Sequence, residues 1–222
     1  MIIAIDGPSG SGKSTLGRML ARSLNLLYID TGSMYRAVAL AVIDACIDPA
    51  DHEAVTMLAN RIDIDLEGDP DSLRVSIDGR DVTDEIRTER VTVMSSIVST
   101  IPGVRRAMVE RQRAMGRRGA VLNGRDIGTV VFPDADVKFF LTAVPEERAE
   151  RRFKEDQLTS ASSSTFAQTL AEMVDRDRRD STRVDSPLKA AEDAILVDST
   201  GKSIAQVFQQ MMEIIANGSR KI

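Results

Sequence analysis

The stretch Gly7-Pro8-Ser9-Gly10-Ser11-Gly12-Lys13-Ser14 matches the pattern G-x-x-x-x-G-K-[ST] at every position. An apolar run, 2–5, precedes it, and a segment with helical patterning, 13–24, follows it. Glycines permit backbone conformations that other residues resist, so successive N–H groups can turn toward an anion at the helix start. Lys13 adds a positive charge for the β- and γ-phosphates, and the Ser14 hydroxyl suits Mg²⁺. This stretch, hereafter the P-loop, therefore predicts a site for nucleotide phosphates.

The rest of the chain has the pattern of an α/β protein. Short apolar runs without alternation lie between helical segments, which is typical of a parallel sheet covered on both faces. We therefore predict a P-loop NTPase-type fold with a five-stranded parallel sheet and helices on both faces, its strands near 2–5, 26–29, 120–122, 137–141 and 194–197. Between 62 and 84 apolar and polar residues alternate around two turn signals, which predicts a small antiparallel β insert.

Composition excludes several classes of function. The net charge of −5 argues against nucleic-acid binding by the surface as a whole. No apolar run approaches the roughly 20 residues of a membrane span, and the start of the chain has no signal-peptide pattern, so we expect a cytoplasmic protein. His52 and Cys46 are the only residues of their kinds, which argues against a His/Cys metal cluster and a Ser-His-Asp triad. We expect Cys46 to be a buried, inert thiol.

Arginines stand where the predicted strands end. Of the 29 basic residues 23 are arginine, whose planar fork suits phosphate and carboxylate. Arg36 follows the second predicted strand and Arg125 the third, and ligands of open parallel sheets bind beyond the carboxyl ends of the strands. Two arginines beside a P-loop indicate a second phosphate-bearing substrate, although surface salt bridging is the alternative. The mixed-charge run 176–183 could likewise belong to a binding site or form a solvated helix face.

Together these segments resemble the bacterial-type cytidylate kinases, a family of P-loop nucleoside monophosphate kinases, over essentially the whole chain. The P-loop alone is shared by many protein classes, and the combination is what makes the resemblance specific. The matching segments are 5–13, 30–36, 79–83 with 86–87, 124–133 and 176–183.

The resemblance implies an ATP-dependent kinase that transfers the γ-phosphoryl group to CMP or dCMP in pyrimidine nucleotide metabolism, with Mg²⁺ as cofactor. Implied catalytic residues are Lys13, Arg36, Arg125 and Arg152. Implied ATP-binding residues are Gly7, Pro8, Ser9, Gly10, Ser11, Gly12, Lys13, Ser14, Arg148 and Arg151. Implied CMP-binding residues are Thr31, Tyr35, Arg36, Ser96, Arg105, Arg125, Asp126, Arg176, Asp180 and Arg183. Ser14 is the candidate metal ligand, with Asp30 or Asp126 acting through water.

The implied roles agree with the chemistry of cytosine. Its amino group is a donor for a carboxylate such as Asp126, and its N3 and O2 accept from Arg105 or Arg183. Uracil reverses donor and acceptor at N3 and the adjacent exocyclic group, which would leave buried polar groups unpaired.

The resemblance also implies the organisation of the single kinase domain. We expect a core over 1–61, 91–147 and 181–222, and a monophosphate-binding insert over about 62–90. A mobile lid over about 148–168, which includes the serine-rich segment 159–165, is followed by a helix to 180. We expect a monomer, because no extended apolar heptad or edge is evident.

Three other functions remain open from the residues. A kinase of the same fold could act on UMP, AMP or a small alcohol. A nucleotide switch or GTPase needs a guanine-reading Asn-Lys-x-Asp segment, which the sequence lacks. An RNA-binding protein would fit the arginine content, but the acidic charge and the 4% aromatic content oppose it.

Overall fold

The computed structural model describes residues 1–158 and 164–218, without the side chains of 156, 158 and 218. Its strands are β1 Ile2–Asp6, β2 Leu27–Asp30, β3 Ile64–Glu67, β4 Arg74–Ile77, β5 Arg80–Asp81, β6 Ala120–Gly124, β7 Val137–Thr142 and β8 Ile195–Asp198. Its α-helices are α1 Lys13–Leu24, α2 Thr31–Asp44, α3 His52–Arg61, α4 Glu89–Val98, α5 Pro102–Gly116, α6 Pro145–Leu158, α7 Phe166–Thr182 and α8 Ile204–Gly218. A 3₁₀ turn, Glu85–Arg87, and a π-helical turn, Ile127–Val131, complete the set.

The chain divides into two compact units. The first, hereafter the sheet unit, comprises Met1–Ile29 and Gly116–Ile222. The second, hereafter the helical unit, comprises Asp30–Met115.

The sheet unit is built on the predicted five-stranded parallel sheet, which is confirmed. Its strand order is β2-β6-β1-β7-β8, so the strand that leads into the P-loop is central. Ile3, Ala4 and Ile5 of this strand are completely buried. A central strand is covered on both faces, which explains why its sequence is continuously apolar instead of alternating.

The helical unit contains the predicted antiparallel insert, which is also confirmed. Strands β3, β4 and β5 form a three-stranded sheet in that order, with Ile64 paired to Ile77. Alternate residues such as Ile64, Val75 and Ile77 are buried, as the period of two requires. In the same unit α2 buries the continuous run 37–42, since it packs against α3, α4 and β4.

The structure bears differently on two expectations from the sequence, the burial of Cys46 and the lid. The expectation for Cys46 is wrong: the residue is exposed and has a φ of 51°, because it lies just beyond the C-terminal end of α2. Residues 159–163 of the predicted lid lie outside the described residues, so the lid stays a prediction. None of the described helices combines the length and apolar character that a bilayer crossing requires.

Candidate active site

The P-loop directly follows β1 and depends on glycine at its first position. Gly7 has a φ of +146°, and a Cβ added there would lie 2.0 Å from the carbonyl oxygen of Leu141. Gly12 adopts the left-handed conformation at the N-terminal cap of α1. The loop can therefore approach the neighbouring strand β7 only because Gly7 lacks a side chain.

Lys13 is buried at the start of α1 and folds back over the P-loop. Its ammonium donates to the carbonyl oxygen of Pro8 at 2.6 Å and contacts the Ser11 hydroxyl at 3.4 Å. Burial holds the pKa of Lys13 well below its ordinary value, and the positive charges of Arg125 and Arg176 lower it further. The ammonium is thus placed where anionic phosphates would stabilise its charge.

The Ser14 hydroxyl is oriented by a residue to which the sequence assigned no role. Asn123, the penultimate residue of β6, donates from its side-chain amide to Ser14 Oγ at 3.0 Å. A hydroxyl oxygen fits Mg²⁺, which keeps several waters and takes few protein ligands beside phosphate oxygens. No group of three or more His, Cys, Asp or Glu side chains suited to a metal occurs among the described residues.

A second residue without a sequence-assigned role is Asp6, at the end of β1. It is only 4% exposed, and its two oxygens accept from the backbone N–H groups of Ile127 and Gly128, each at 2.8 Å. Burial raises the pKa of Asp6 to about 6, and the charge of Asp126 acts in the same direction, although the two hydrogen bonds and Lys13 oppose the rise.

Five of the predicted CMP-binding residues interact with one another in the sheet unit. Arg125 Nε lies 2.8 Å from Asp180 Oδ2, while Arg183 lies 3.9 Å from both Asp180 and Asp126. Burial alone would raise the pKa of Asp180, but Arg125, Arg176 and Arg183 hold it below the ordinary value. Ion pairs between largely buried side chains thereby join the end of α7 to the loop after β6. From the sequence alone, the run 176–183 was equally compatible with a solvated helix face.

The three arginines expected at the lid lie on α6 with different surroundings. Arg148 is buried, donates to the Ser9 carbonyl oxygen at 3.1 Å and pairs with Asp177 at 2.7 Å. Arg151 donates to the hydroxyl and the carbonyl oxygen of Ser199. Arg152 is about one-third exposed. Arg148 is therefore placed to support the P-loop backbone.

The helical unit contains the other predicted arginine at a strand end, Arg36. Its Nη2 lies 3.2 Å from the carboxylate of Asp30 and 2.8 Å from the Ser33 hydroxyl. The same carboxylate caps α2 by accepting from the N–H of Gly32. Among the described residues Arg36 Nε is buried without a hydrogen-bond partner.

Two of the predicted CMP-binding residues of this unit, Arg105 and Tyr35, contact each other. Arg105 is 2% exposed, stacks over the Tyr35 ring at 5.6 Å and donates to the Ser99 carbonyl oxygen at 3.1 Å. The hydroxyl of Ser96 is buried and has no partner among the described residues. Buried polar groups without partners are rare, so Ser96 is suited to a ligand. Thr31 is buried at the start of α2.

The predicted site residues thus fall into two sets. The sheet unit holds the P-loop, Arg125, Asp126, Arg148, Arg151, Arg152, Arg176, Asp180 and Arg183. The helical unit holds Asp30, Thr31, Tyr35, Arg36, Ser96 and Arg105. That the two sets face one cleft stays a prediction from the sequence.

Known proteins identify the family. The family model described as Cytidylate kinase matches residues 3–217. The chain belongs to the cytidylate kinase family. It is 49% identical over 212 residues to a cytidylate kinase of Geobacter sp. (strain M21), covering 95% of this chain and 91% of that protein. It is 47% identical over 221 residues to one of Mycobacterium leprae (strain Br4923), covering 99% and 97%.

The fold has a counterpart of low sequence similarity. A crystal structure of an uncharacterized protein from Eubacterium ventriosum ATCC 27560 matches with a TM-score of 0.55 and 12% identity, covering 97% of this chain and 98% of that chain. At that identity the likeness supports the fold alone.

Proposed function

We propose that this member of the cytidylate kinase family transfers the γ-phosphoryl group of ATP to CMP or dCMP, giving ADP and CDP or dCDP. The observation that carries the proposal is the match to the family over residues 3–217, with a P-loop whose lysine lies among the charges of Arg125 and Arg176. The reaction would serve pyrimidine nucleotide metabolism in the cytoplasm.

The P-loop is the proposed ATP site. Its backbone N–H groups and Lys13 would bind the β- and γ-phosphates, which would also stabilise the charged form of a lysine whose pKa burial has lowered. Ser14, oriented by Asn123, would be a ligand of Mg²⁺. The cation neutralises phosphate charge when it is bound. Arg148 would keep the loop in place through the Ser9 carbonyl oxygen.

Arg36 and Arg125 are the proposed ligands of the acceptor phosphate. Each is held by a carboxylate, Asp30 for Arg36 and Asp180 for Arg125. A guanidinium has five N–H donors, so one edge can stay on its carboxylate while another binds phosphate. The carboxylates would thereby orient the arginines before CMP arrives, which lowers the cost of binding.

The remaining residues are proposed to recognise the nucleoside. Asp126 would accept from the cytosine amino group, and Arg105, Arg183 and Ser96 would bind the other polar atoms of the base. Arg176 and Asp180 would contact the ribose. Because these groups are largely buried, a base with the reversed hydrogen-bonding pattern would leave them unpaired.

Phosphoryl transfer requires alignment and charge stabilisation more than a strong base. The acceptor is an ionised phosphate, so the reaction needs no catalytic histidine, in agreement with the single histidine of the chain. Arg152 is proposed to approach the phosphates and stabilise the charge that accumulates in the transition state.

A coupled ADP-release assay tests the function. With ATP and Mg²⁺ we expect turnover with CMP and dCMP that greatly exceeds turnover with UMP, AMP or a small alcohol. Lys13→Ala should lower kcat by at least about 10²-fold, the scale for losing one preorganised charge-stabilising group. Lys202→Ala, which changes an exposed lysine, is the control. Preference for another acceptor, or near-normal turnover of the Lys13 variant, would contradict the proposal.

We further propose that the enzyme is a monomer. Light scattering after size-exclusion chromatography should give a mass near the 24.2 kDa of the chain, both alone and with CMP. A mass near twice that value would show a dimer.

A further inference from the structure

Asp6 is the last residue of β1, directly before the P-loop, yet its carboxylate is bonded to a segment far away in the sequence. Oδ1 accepts from the N–H of Ile127 and Oδ2 from the N–H of Gly128, both at 2.8 Å. The side chain is almost fully buried. Both oxygens of one carboxylate thus hold two consecutive backbone groups.

Those two N–H groups are the first of the π-helical turn, Ile127–Val131. The bonds of the turn itself run from Val131 to the carbonyl oxygen of Asp126 and from Phe132 to that of Ile127. The opening N–H groups of a helical turn have no partner within it, so they need an outside acceptor. Asp6 supplies that acceptor across 121 residues of sequence.

The turn begins where the proposed CMP-binding loop ends. Asp126 immediately precedes it with φ −145° and ψ 25°, a conformation of neither helix nor strand, and Arg125 is one residue earlier. The carbonyl oxygen of Asp126 accepts from the N–H groups of Val130 and Val131, so its backbone is tied to the turn that follows. Holding the N–H groups of Ile127 and Gly128 therefore constrains the backbone from which the Asp126 side chain projects.

A charged group is a costly way to cap a buried turn. A neutral hydroxyl would satisfy an N–H at a lower desolvation cost, but a carboxylate forms shorter and roughly twice stronger bonds and can hold two groups at once. The other end of β1 offers a comparison, because the N–H of Ile2 donates to the exposed carboxylate of Asp136 at 2.6 Å. There the charge remains in water.

We propose that Asp6 is a positioning residue for CMP recognition, which holds the backbone that presents Arg125 and Asp126 from the strand that also carries the P-loop. The proposal rests on the proposed CMP-binding roles of those two residues. One carboxylate then connects the loop for the donor phosphates with the loop for the acceptor nucleotide.

The first test replaces the carboxylate by its neutral isostere, Asp6→Asn. Only one oxygen remains, and the amide N–H₂ faces a second N–H, so the turn loses one of its two bonds. We expect kcat/KM for CMP to fall about 10- to 100-fold, the scale for small misplacements of binding groups. The preference for CMP over UMP should fall at least several-fold, and the calorimetric Kd of ATP should stay within about threefold.

Asp136→Asn is the matched control, because it neutralises a carboxylate that accepts a backbone N–H at the opposite end of the same strand. We expect its kinetic constants to equal those of the wild type. Unchanged kcat/KM and base preference in Asp6→Asn would overturn the proposal. An equal loss of ATP affinity would overturn it as well, because Asp6 would then act through the P-loop.

A second measurement keeps the result independent of catalysis. In amide hydrogen exchange monitored by NMR, at least one of the N–H groups of Ile127 and Gly128 should exchange at least about tenfold faster in Asp6→Asn, whereas that of Ile2 should not change. Unchanged exchange at 127 and 128 would overturn the positioning role even if activity fell. If exchange were faster in Asp6→Asn but the wild-type protein failed to phosphorylate CMP, the proposed function would be refuted and the positioning of the turn by Asp6 would stand.

Asp6→Ser, whose smaller hydroxyl keeps one acceptor, replaces Asp6→Asn if the latter does not fold. The same losses are expected in the same assays. Failure of both variants to fold would show that Asp6 is required for folding itself and would overturn the role in recognition.

Discussion

Several buried residues of the sheet unit have pKa values that differ from their ordinary values. Asp6, Lys13 and Asp180 are all buried, and burial raises the pKa of the acid Asp6 and lowers that of the base Lys13. The pKa of Asp180 is lowered although burial alone would raise it. The difference follows from their partners, because Asp180 faces three arginines, whereas Asp6 accepts only backbone N–H groups. Charge at this site is therefore controlled by individual contacts and not by burial alone.

The pH dependence of stability should reveal the state of Asp6. Its pKa is about 6 in the fold and near 3.8 when the chain is unfolded. The folded state therefore binds the extra proton between these values, so this contribution to stability is complete below pH 3.8 and is lost as the pH rises through 6. The loss amounts to about 3 kcal/mol.

Denaturant unfolding of wild type and Asp6→Asn from pH 4 to pH 8 measures this contribution. The stability of the wild type relative to the variant should decrease with rising pH, mainly between 4 and 7. If the difference in unfolding free energy between wild type and variant stayed constant or grew with pH, the pKa of Asp6 would not be raised in the fold.

Base selection should depend on Asp126. In Asp126→Ala the acceptor for the cytosine amino group is lost, so kcat/KM for CMP should fall by a larger factor than that for UMP. Competition assays with both nucleotides measure the ratio. The exposed Asp134 provides the control substitution to alanine. An unchanged ratio in Asp126→Ala would refute its assignment as the base reader.

At the scale of elements, an arginine of the helical unit caps the C-terminal end of a neighbouring helix. Arg111 of α5 donates to the carbonyl oxygens of Ala59, Asn60 and Ile62, at and just beyond the C-terminal end of α3. The last carbonyls of a helix have no partner within it, and a cation there also interacts favourably with the helix dipole. Arg111 therefore joins α3 and α5 within the helical unit.

Arg111→Met should destabilise the protein by about 2 kcal/mol, since hydrogen bonds from a charged donor are lost while the aliphatic volume remains. Arg106→Met, which changes an exposed arginine of the same helix, should alter stability by no more than about 0.5 kcal/mol. Equal stabilities of the two variants in urea unfolding would contradict the capping role. Activity is not the readout, because Arg111 is outside the proposed site.

At the scale of the whole molecule, the family resemblance predicts that residues of each unit bind CMP. Arg36 belongs to the helical unit and Arg125 to the sheet unit, and both are proposed to bind the same phosphate. CMP at 100 times its Kd should stabilise the folded enzyme by about 2.7 kcal/mol through mass action.

Thermal unfolding with and without CMP tests whether both arginines contribute. We expect Arg36→Ala and Arg125→Ala each to reduce the increase in Tm strongly at the same CMP concentration. The exposed Arg106→Ala should retain the full increase. If only one of the two variants lost the increase, the shared phosphate site would be refuted.

Local patterns made much of the fold predictable. The spacing of glycines and lysine in 7–14 predicts the loop because its backbone conformation is decided within eight residues. The central strand and the insert were also predictable. A strand buried on both faces is continuously apolar, whereas a strand buried on one face alternates between apolar and polar residues. Cys46 was misjudged because an apolar neighbourhood does not reveal where a helix ends.

By itself, then, the sequence determined the P-loop, the five parallel strands, the β insert and the resemblance to a family. Only the tertiary structure decided that Asp6 holds the turn after Asp126, that Asn123 orients Ser14 and that Arg111 caps α3. Their partners lie 121, 109 and about 50 residues away. Loop and strand patterns arise from interactions between near neighbours, whereas the partner of a buried polar group is chosen by the folded chain, which must satisfy that group without water.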